Sequence, residues 1–235
     1  ISFVPSPYAA TGDLVRFAPA DSLYGDLDGD GLPELPVGRF PVRTAAELEG
    51  IVAKTLDYGA GATAPQAVVA ADGFDRAAGF SFTGSSEQIA ALVPDAWDVE
   101  RIYLDELPLS QARQSLLGEL DAGPRLVSYM GHSGPTAWSF SGLFTTRDAT
   151  ALANHGRPSI VTQWGCWTTY YVAPSTNTLG HKLLLSGDRG AAAVLGAATL
   201  TEARSERALA RQIYQRLFEP GRTVGQILVD SKRAL

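Results

Sequence analysis

The chain has few of the features that would assign it quickly to a functional class. Its 235 residues include one cysteine, one methionine and three histidines. A single cysteine excludes a disulfide within the chain and leaves the redox compartment undetermined. Basic residues are also scarce, since 19 Lys and Arg against 25 Asp and Glu give a formal net charge of −6. That balance lacks the basic patch of a nucleic-acid-binding protein, so we expect no nucleic-acid partner.

Long hydrophobic runs are absent as well. No stretch of 18 apolar residues occurs, so we expect no membrane span. What is present, 45% hydrophobic and 19% charged residues with 24 glycines, is typical of a globular protein. The sequence starts at Ile1 without a Met or a signal peptide, and we interpret it as a processed part of a longer precursor. We expect a single domain over residues 1–235, in which residues 1–20 form an edge segment and other precursor domains are partners.

Short apolar runs alternate with amphipathic stretches along most of the chain. Strands are predicted at residues 35–40, 66–71, 99–104, 125–131, 159–165 and 191–195, with an edge strand near 14–17. Helices are predicted at residues 44–58, 85–93, 110–120, 148–153, 178–185, 202–217 and 223–234, several of them opened by capping boxes. This alternation predicts an α/β fold with a mostly parallel sheet and helices on both faces.

Two of the predicted strands end in a glycine followed by a reactive side chain. The run 125–131 is followed by His132, and the run 159–165 is followed by Cys166. Because sequential strands joined by a helix are usually parallel neighbours, both side chains should emerge at the carboxyl edge of the sheet. Asp72 follows the strand 66–71 in the same way.

A thiol, an imidazole and a carboxylate at one edge are the parts of a nucleophile, a base and its orienting group. An imidazolium near Cys166 would favour the reactive thiolate, and a carboxylate would fix the imidazole tautomer. Backbone N–H groups near Gly131, His132 and Cys166 would stabilise an oxyanion, at about 10²–10³ in rate per donor.

Each of these residues also has a structural interpretation. A free cysteine is often a small buried hydrophobe, His132 could lie in a strand-ending turn, and Asp72-Gly73 is an ordinary turn pair. His155 and His181 fall in or beside predicted helices, and we expect them at the surface.

The sequence around these residues resembles one known family. Residues 129–138 resemble the His block of the gingipain-type cysteine peptidases, and residues 158–166 resemble the apolar block that ends in their nucleophile. The stretches 24–42, 54–58, 190–196 and 223–232 are also similar, so the resemblance extends from about Asp21 onward.

The resemblance implies a three-layer, caspase-like sandwich and a Cys–His dyad carried onto Cys166 and His132. The family's third, acidic residue falls on Asp72. A protein or peptide substrate and a secreted or cell-surface location are also implied, and the chemistry requires no cofactor.

Two positions depart from the family pattern. Ser133 replaces the usual glycine after the histidine, and Trp167 replaces a small residue after the nucleophile. A Ser N–H can still donate, but a glycine would allow a closer approach of backbone to substrate.

An acidic stretch raises a separate question about calcium. Asp26, Asp28 and Asp30 have the one-three-five spacing of a calcium loop, with Gly31 at position six. Position twelve is Val37 and not Glu, so the pattern is incomplete. A glycine-rich turn is the simpler interpretation, and a structural calcium site is the alternative, because relatives of this family bind calcium.

The leading hypothesis is a cysteine endopeptidase that works through an acyl-enzyme. In it Cys166 attacks the peptide carbonyl and His132 serves as acid and base. The residues expected to bind substrate or the oxyanion are Gly131, Ser133, Gly165, Trp138 and Trp167. One rival is a weak or inactive relative with a binding or processing role, favoured by Ser133 and Trp167. The other rival, a doubly wound small-molecule-binding domain with a structural cysteine, would need a glycine-rich phosphate loop after its first strand, and none is found.

The resemblance also bears on specificity. Relatives that cut after Arg or Lys hold the basic side chain with an acid, which in the Arg-cutting ones lies roughly ten residues beyond the third catalytic residue. The matching stretch here, 80–84, contains no acid, although Asp75 and Glu87 flank it. Because an unpaired buried cation costs several kcal/mol, we expect no strict Arg or Lys preference and a pocket with walls from Phe82, Trp138 and Trp167.

Overall fold

The structure, a computed structural model, describes residues 3–58 and 65–235. The first two residues of the expected edge segment therefore lie outside the described residues. The strands in chain order are β1 (Tyr8–Ala10), β2 (Phe17–Pro19), β3 (Gln66–Ala71), β4 (Asp98–Tyr103), β5 (Leu126–Met130), β6 (Ser133–Gly134), β7 (Ala137–Trp138), β8 (Phe144–Thr145), β9 (Ser159–Trp164) and β10 (Ala191–Gly196). The helices are α1 (Ala45–Asp57), α2 (Phe82–Ala90), α3 (Leu109–Ala122), α4 (Thr146–Ala151), α5 (Leu179–Leu184), α6 (Ala203–Leu217) and α7 (Val224–Arg233).

A five-stranded sheet forms the centre of the fold. Its order is β10-β9-β5-β3-β4, and every neighbouring pair is parallel. The strands before His132 and Cys166, β5 and β9, are direct neighbours. The prediction of a mostly parallel sheet with these two strands side by side is confirmed.

Both faces of the sheet are covered, which explains why the central strands are apolar without alternation. On one face, Val68 of β3 packs in a core that includes Leu116 of α3. On the other face, Val69 packs with Ile89 of α2 and Ile213 of α6. These side chains are almost completely buried, and each contributes about 1.5–3 kcal/mol by leaving water.

Helix α1 begins at a complete capping box and ends in a buried anchor. The Thr44 side chain accepts the Glu47 N–H, and Glu47 accepts the Thr44 N–H, as its sequence predicts. Near the other end, Lys54 Nζ donates to the carbonyls of Leu184 and Arg189 at 2.7 and 2.9 Å. Burial lowers the pKa of Lys54 to about 8. The ammonium thus satisfies carbonyls at the end of α5 and ties α1 to the sheet's β10 side.

The N-terminal region differs from the prediction. Residues 35–40 form no strand, because Pro36 lacks an N–H and the Leu35 N–H donates to the Gly25 carbonyl in a turn. The expected edge strand near residues 14–17 is instead the hairpin of β1 and β2, which is a separate two-stranded sheet.

Other differences lie next to the edge that carries the reactive residues. Helix α2 starts at Phe82, three residues earlier than predicted, because the Ser81 hydroxyl caps it by accepting the Gly84 N–H. The short strands β6, β7 and β8 form a small antiparallel sheet directly after β5. These strands have only two residues each, too short for their pattern to stand out in the sequence. Within the described ranges, no helix has the length and apolar character needed to cross a bilayer.

Candidate active site

The three predicted catalytic residues follow strands that end at the same carboxyl edge of the sheet. The last residues of β3, β5 and β9 are in register across the three strands. His132 and Cys166 therefore each lie two residues past the end of neighbouring strands, and Asp72 lies one residue past the end of the third.

Two glycines allow the loops after these strands to approach each other. A Cβ added at Gly165 would lie 2.3 Å from Ser133 Oγ and 2.4 Å from the Gly131 carbonyl oxygen. A Cβ added at Gly131 would lie 2.4 Å from Asp72 Cβ and 2.5 Å from the Tyr129 hydroxyl. Contact at these distances is not tolerated, so the sequence needs glycine at both positions.

Ser133 joins the histidine loop to the cysteine loop. Its buried hydroxyl donates to the Cys166 carbonyl at 2.9 Å. The residue that departs from the family pattern is therefore a cross-link between the two candidate catalytic loops. A glycine at this position could not make the contact.

The His132 ring is held by a carboxylate and by two aromatic rings. Its Nε2 lies 3.2 Å from Asp75 Oδ2. Phe140 stacks on the ring at 4.9 Å between centroids, and Phe82 meets it edge-on at 5.2 Å. The histidine side chain remains 39% exposed, so the ring is oriented yet accessible.

Asp75 is itself fixed by a turn. Its Oδ1 accepts the backbone N–H groups of Ala77 and Ala78 at 2.9 and 3.0 Å. The Ala78 N–H is the main cause that holds the pKa of Asp75 below its usual value, and the Ala77 N–H and His132 act in the same direction. The carboxylate therefore stays ionised beside the imidazole. With Nε2 donating to Asp75, Nδ1 is left as the proton acceptor.

Asp72, expected to orient the histidine, contacts a different group. Its Oδ1 accepts the Ser139 hydroxyl at 2.9 Å and the Gly73 N–H at 2.9 Å. Within the described residues, no hydrogen bond joins Asp72 to the His132 ring. The contact expected of Asp72 is made by Asp75, because Asp72 is only one residue past its strand and faces the base of the hairpin.

Asp72 still supports the histidine loop. Ser139, which it holds, has a positive φ of 56°, and the Ser139 N–H donates to the Tyr129 hydroxyl. That hydroxyl donates in turn to the His132 carbonyl at 2.6 Å. Asp72 therefore fixes the backbone of the hairpin that carries the imidazole.

Cys166 is partly buried and lies against Thr201, in the segment after β10. Its Sγ is 3.5 Å from the Thr201 hydroxyl and receives the Thr201 backbone N–H at 3.4 Å. Within the described part of the chain, no hydrogen bond links Sγ to the His132 ring. Catalytic hydrogen bonds commonly tighten only in the substrate complex.

Three backbone N–H groups near the thiol differ in their hydrogen-bond acceptors. The Gly131 N–H donates to the Trp164 carbonyl at 3.0 Å, and the Trp167 N–H donates to the Thr199 carbonyl at 3.0 Å. Among the described residues, none accepts the Cys166 N–H. The expectation that Gly131 supplies an oxyanion donor is therefore wrong, whereas the Cys166 N–H is free to donate.

The aromatic residues expected to line a substrate pocket are placed differently from one another. Trp138 is completely buried, stacks on Tyr129 at 4.7 Å, and donates to Gln163 Oε1 at 2.6 Å. It therefore belongs to the core, and the prediction that it contacts substrate is wrong. Phe82 is also buried, and its ring makes an edge contact with the His132 imidazole. Trp167 lies on the cysteine loop with a positive φ of 65° and an edge contact to Tyr170.

The two remaining histidines differ in burial. His155 is exposed and pairs with Asp188 at 2.9 Å. His181 is buried, contrary to expectation, because its Nδ1 accepts the Thr178 N–H at 3.2 Å and caps α5. Burial lowers the pKa of His181 to about 4, and the charge of Arg43 acts in the same direction. Neither histidine belongs to the edge with Cys166.

The acidic loop brings together a different set of carboxylates from the one predicted. Oxygens of Asp26, Asp28 and Glu34 lie within 4.8 Å of one another. Asp30, expected as a ligand, instead accepts the Leu32 N–H at 2.7 Å. The other carboxylates also accept backbone N–H groups of the loop, as an ordinary acidic turn does. The set fits a cation chemically, since calcium prefers carboxylate oxygens.

Sequence reasoning missed two residues that contact the site. Asp75 was considered only as an acid beside a specificity loop, and Thr201 was not considered at all. Asp75 lies in a turn three residues beyond Asp72, and the isolated bridge between Asp75 and Phe80 closes that turn. In the sequence, the spacing of Asp75 and Gly79 indicates a turn. It does not indicate that this turn contacts His132.

Solved structures of cysteine proteinases share this fold. The complex of RgpB pro- and mature domains from Porphyromonas gingivalis and the Arg-specific cysteine proteinase gingipain R (RgpB) both align with a TM-score of 0.80 and 18% identity, over 92% of this chain and 54% of theirs. A third structure, described as a protease, aligns with a TM-score of 0.74 and 18% identity, over 92% of this chain and 53% of its own. The likeness shows the caspase-like fold that the resemblance implies.

The chain spans about half the length of those structures. No curated protein sequence matches it significantly. A family profile described as peptidase family C25 matches residues 2–235. The chain belongs to peptidase family C25, the gingipain family of cysteine peptidases.

Proposed function

We propose that the chain carries the catalytic centre of a cysteine endopeptidase, with Cys166 as nucleophile, His132 as acid and base, and Asp75 as the residue that orients His132. The observation that carries this proposal is the arrangement at the sheet edge. There His132 and Cys166 each lie two residues past the end of neighbouring parallel strands, and the Ser133 hydroxyl donates to the Cys166 carbonyl at 2.9 Å. The chain's membership of peptidase family C25 does not depend on the roles of these individual residues.

The proposed reaction has two stages. His132 takes the proton of the Cys166 thiol, and the thiolate forms a C–S bond with the peptide carbonyl carbon. The C–N bond then breaks as His132 returns the proton to the leaving amine. Water, deprotonated by His132, attacks the thioester, and the C–S bond breaks to release the acid and the thiol.

The surroundings support each role. Asp75 accepts the Nε2–H of His132 and favours the imidazolium that forms in both stages. The Cys166 N–H is available to the oxyanion, and such a donor contributes about 10²–10³ in rate. No step needs a metal or an organic cofactor.

A weak or inactive relative with a binding role is the second candidate. Ser133 and Trp167 favour this candidate. However, the Ser133 hydroxyl supports the cysteine loop through the Cys166 carbonyl, and Cys166 remains partly exposed. Trp167 keeps a backbone conformation that costs about 1–3 kcal/mol for a residue other than glycine. We interpret that strain as a feature of the substrate side of the loop.

For specificity, we propose that the enzyme has no strict Arg or Lys preference. Of the two acids that could have contradicted this, Asp75 is committed to His132. Glu87 accepts the Tyr103 hydroxyl at 2.6 Å and Arg101 Nε at 3.0 Å. Neither acid is free to pair with a basic substrate side chain.

Three further proposals concern the protein's setting. We propose a secreted or cell-surface location and association with other domains of a precursor, in line with the family. A structural calcium, if bound, would take Asp26, Asp28 and Glu34 as ligands and would have no part in the chemistry.

The proposed nucleophile can be tested by trapping. A peptide library carrying a carbonyl electrophile at its C-terminus is incubated with the full-length protein, and the modified residue is mapped by mass spectrometry. We expect covalent modification at Cys166, at a rate at least about tenfold lower in His132→Ala, because the thiolate needs its imidazole partner. His155→Ala, at an exposed histidine that pairs with Asp188, is the matched control and should label like the parent. Equal labelling of the parent and His132→Ala would contradict the proposed dyad.

A further inference from the structure

The chain between Cys166 and the first turn of α5 forms one long loop, residues 167–178, which we call the post-nucleophile loop. Its two ends are joined, since the Gly180 N–H donates to the Thr168 carbonyl at 3.0 Å. Long loops with closely spaced ends are compact and frequently carry function. Because this loop starts directly after Cys166, its first residues border any substrate held at the thiol.

Aromatic side chains occupy the start of the post-nucleophile loop. Trp167 and Tyr170 are both partly exposed, and their rings meet edge-on at 5.1 Å between centroids. The Tyr170 N–H donates to the Trp167 carbonyl at 3.1 Å, which closes a turn. Trp and Tyr combine a large apolar surface with a polar edge and are enriched where proteins contact one another. The start of the loop therefore offers a contact surface for a peptide beside the nucleophile.

The far part of the loop is held by an arginine that precedes α1. Arg43 Nη1 donates to Asn177 Oδ1 at 2.6 Å, and Arg43 Nη2 donates to the Ala173 carbonyl at 2.7 Å. A longer contact of 3.4 Å joins Nη2 to the Thr176 carbonyl. One guanidinium thus bridges both sides of the turn at the end of the loop. The fork of donors in arginine is rigid, and hydrogen bonds from a charged donor are stronger than neutral ones.

Arg43 is itself fixed to the start of α1. Its backbone N–H donates to Glu47 Oε2 at 2.6 Å, and the same carboxylate accepts the Thr44 N–H in the capping box. Its acceptors in the loop lie 130 and 134 residues further along the chain. The end of a rigid helix therefore holds the turn of a distant loop.

A neighbouring arginine contacts the middle of the same loop in a different way. Arg39 lies over the Tyr171 ring at 4.7 Å, and the Tyr171 hydroxyl is 2.7 Å from the Ser6 hydroxyl. The Arg39 guanidinium also donates to Asp21 Oδ1 at 2.7 Å. By contrast, the side-chain hydrogen bonds that Arg43 makes within the described residues all go to the post-nucleophile loop. Arg43 is therefore the better residue for testing what the loop does.

We propose that Arg43 is a positioning residue that holds the post-nucleophile loop in the conformation that binds the peptide substrate. This inference rests on the proposed function and gives Arg43 no part in bond breaking. Without Arg43 the loop would adopt its binding conformation for only a fraction of the time, and the apparent affinity falls in proportion to that fraction. Once substrate is bound, the loop is in place again. The expected signature is a raised KM with a nearly unchanged kcat.

The test combines hydrolysis of a defined peptide library with hydrogen exchange of the full chain, read by mass spectrometry of the peptide that contains residues 167–178. In Arg43→Ala we expect a KM about tenfold higher and a kcat within about twofold of the parent, since charged hydrogen bonds of this kind contribute at least that factor. The loop should also exchange about tenfold faster, because it opens locally more often. The exchange measurement needs no substrate.

Thr44→Ala is the matched control. Thr44 is the neighbour of Arg43 and caps the same helix, but its side-chain hydrogen bond goes to the Glu47 N–H and not to the loop. Thr44→Ala should lower the melting temperature, because a helix cap is lost, and should keep the KM and the loop exchange of the parent. A merely structural role of Arg43 would instead give both variants the same kinetics.

The outcomes separate this inference from the proposed function. An unchanged KM in Arg43→Ala, or an equal rise in Thr44→Ala, would overturn the positioning role. Unchanged loop exchange in Arg43→Ala would overturn it as well, whether or not the parent cleaves peptides. No cleavage by the parent contradicts the proposed function, and with it the substrate role of the loop, even where the exchange changes as expected.

Asn177 tests the same contact from the side of the loop. Asn177→Ala removes one acceptor and should raise KM about threefold, the lower part of the range for one hydrogen bond, whereas Asn177→Asp keeps the acceptor and should match the parent. In the Arg43→Ala background, Asn177→Ala should add little, because the shared contact is already gone. If Arg43→Ala does not fold, the two Asn177 variants decide. A parent-like KM in Asn177→Ala, or an equal rise in Asn177→Asp, then contradicts the proposal.

Discussion

The segments that follow β3 and β10 each bring a residue from beyond the strand end against one of the two candidate catalytic side chains. After β3, Asp75 contacts His132 from a tight, exposed turn that its own backbone N–H groups hold. After β10, Thr201 contacts Cys166 from the segment that leads into α6. The residue beside the imidazole is thus held by a tight local turn, whereas the residue beside the thiol lies in the loop between β10 and α6.

Carboxyl groups near the two segments should respond differently to pH. The Asp75 carboxylate beside the histidine has a lowered pKa and therefore stays ionised throughout the neutral range. Burial raises the pKa of the Glu206 carboxyl group, at the start of α6, to about 7. Changes to Asp75 should therefore affect turnover at every pH near neutrality, whereas changes to Glu206 should alter the dependence of stability on pH.

The largest effect is expected where the two sides meet. Gly165→Ala places a methyl group 2.3 Å from Ser133 Oγ, which forces the loops apart. We expect turnover to fall about a hundredfold or more, because small misplacements of catalytic groups have that effect, and the free energy of unfolding to fall by about 3 kcal/mol. Gly134→Ala, on the neighbouring histidine loop next to Ser133 and with nothing within 4 Å of its added Cβ, should be close to neutral. Similar kinetics and thermal unfolding for both variants would show that the loops do not need their close contact.

Substitution of the two carboxylates after β3, Asp72 and Asp75, should have different effects on activity and stability. Asp75→Asn keeps an oxygen for the Ala77 and Ala78 N–H groups but removes the charge beside His132. We expect turnover to fall about a hundredfold with little change in stability, a part of the contribution of general acid–base catalysis. Asp72→Asn weakens the bond to Ser139 and should mainly lower the melting temperature. Steady-state kinetics and thermal unfolding of both variants test this, and a larger kinetic loss in Asp72→Asn would return the orienting role to Asp72.

The pH dependence of stability tests two largely buried titratable groups, His181 of α5 and Glu206 of α6. His181 has a pKa of about 4 when folded and about 6.5 when unfolded, so the unfolded chain binds its proton first as pH falls. Its contribution is complete above pH 6.5 and is lost between about pH 6.5 and 4, by up to about 3 kcal/mol. Glu206, with a raised pKa, acts in the opposite direction, because its contribution is lost as pH rises from about 4.5 to 7.

The two effects are separated by comparing variants. The difference in unfolding free energy between the parent and His181→Gln, measured by denaturant titration, should shrink as pH falls from 6.5 to 4. A constant difference over that window would show that His181 is not held neutral in the folded state.

The smallest effect is expected far from both segments. If calcium binds Asp26, Asp28 and Glu34, a concentration ten times Kd adds about 1.4 kcal/mol of stability, which a chelator removes. Glu34→Gln should abolish the shift, and Asp30→Asn should keep it, because Asp30 is outside the carboxylate group. A melting temperature that does not respond to chelator identifies an ordinary acidic turn.

Sequence reasoning placed the five strands of the central sheet, and the predicted catalytic pair after two of them, for a physical reason. Short apolar runs that precede His132 and Cys166 define buried parallel strands, and the chirality and proximity of helical crossovers place their ends together. The same reasoning chose Asp72, because it also follows a strand, but the turn that carries Asp75 reaches the imidazole instead. Trp138 was assigned to the substrate for its type, yet the two-residue strands of its hairpin fold it into the core. Contacts such as Thr201 with Cys166 join residues 35 positions apart, and no local pattern encodes them.

Hydrolysis of a defined peptide library by the full-length protein, with Cys166→Ala and His132→Ala measured beside it, tests the central claim most directly. We predict cleavage by the parent at sites not restricted to Arg or Lys, and no cleavage above background by either variant, while both variants keep the parent's melting temperature within about 2 °C, as expected for partly exposed positions outside the core. Equal cleavage by the parent and either variant would contradict the assignment of Cys166 and His132 as the catalytic pair.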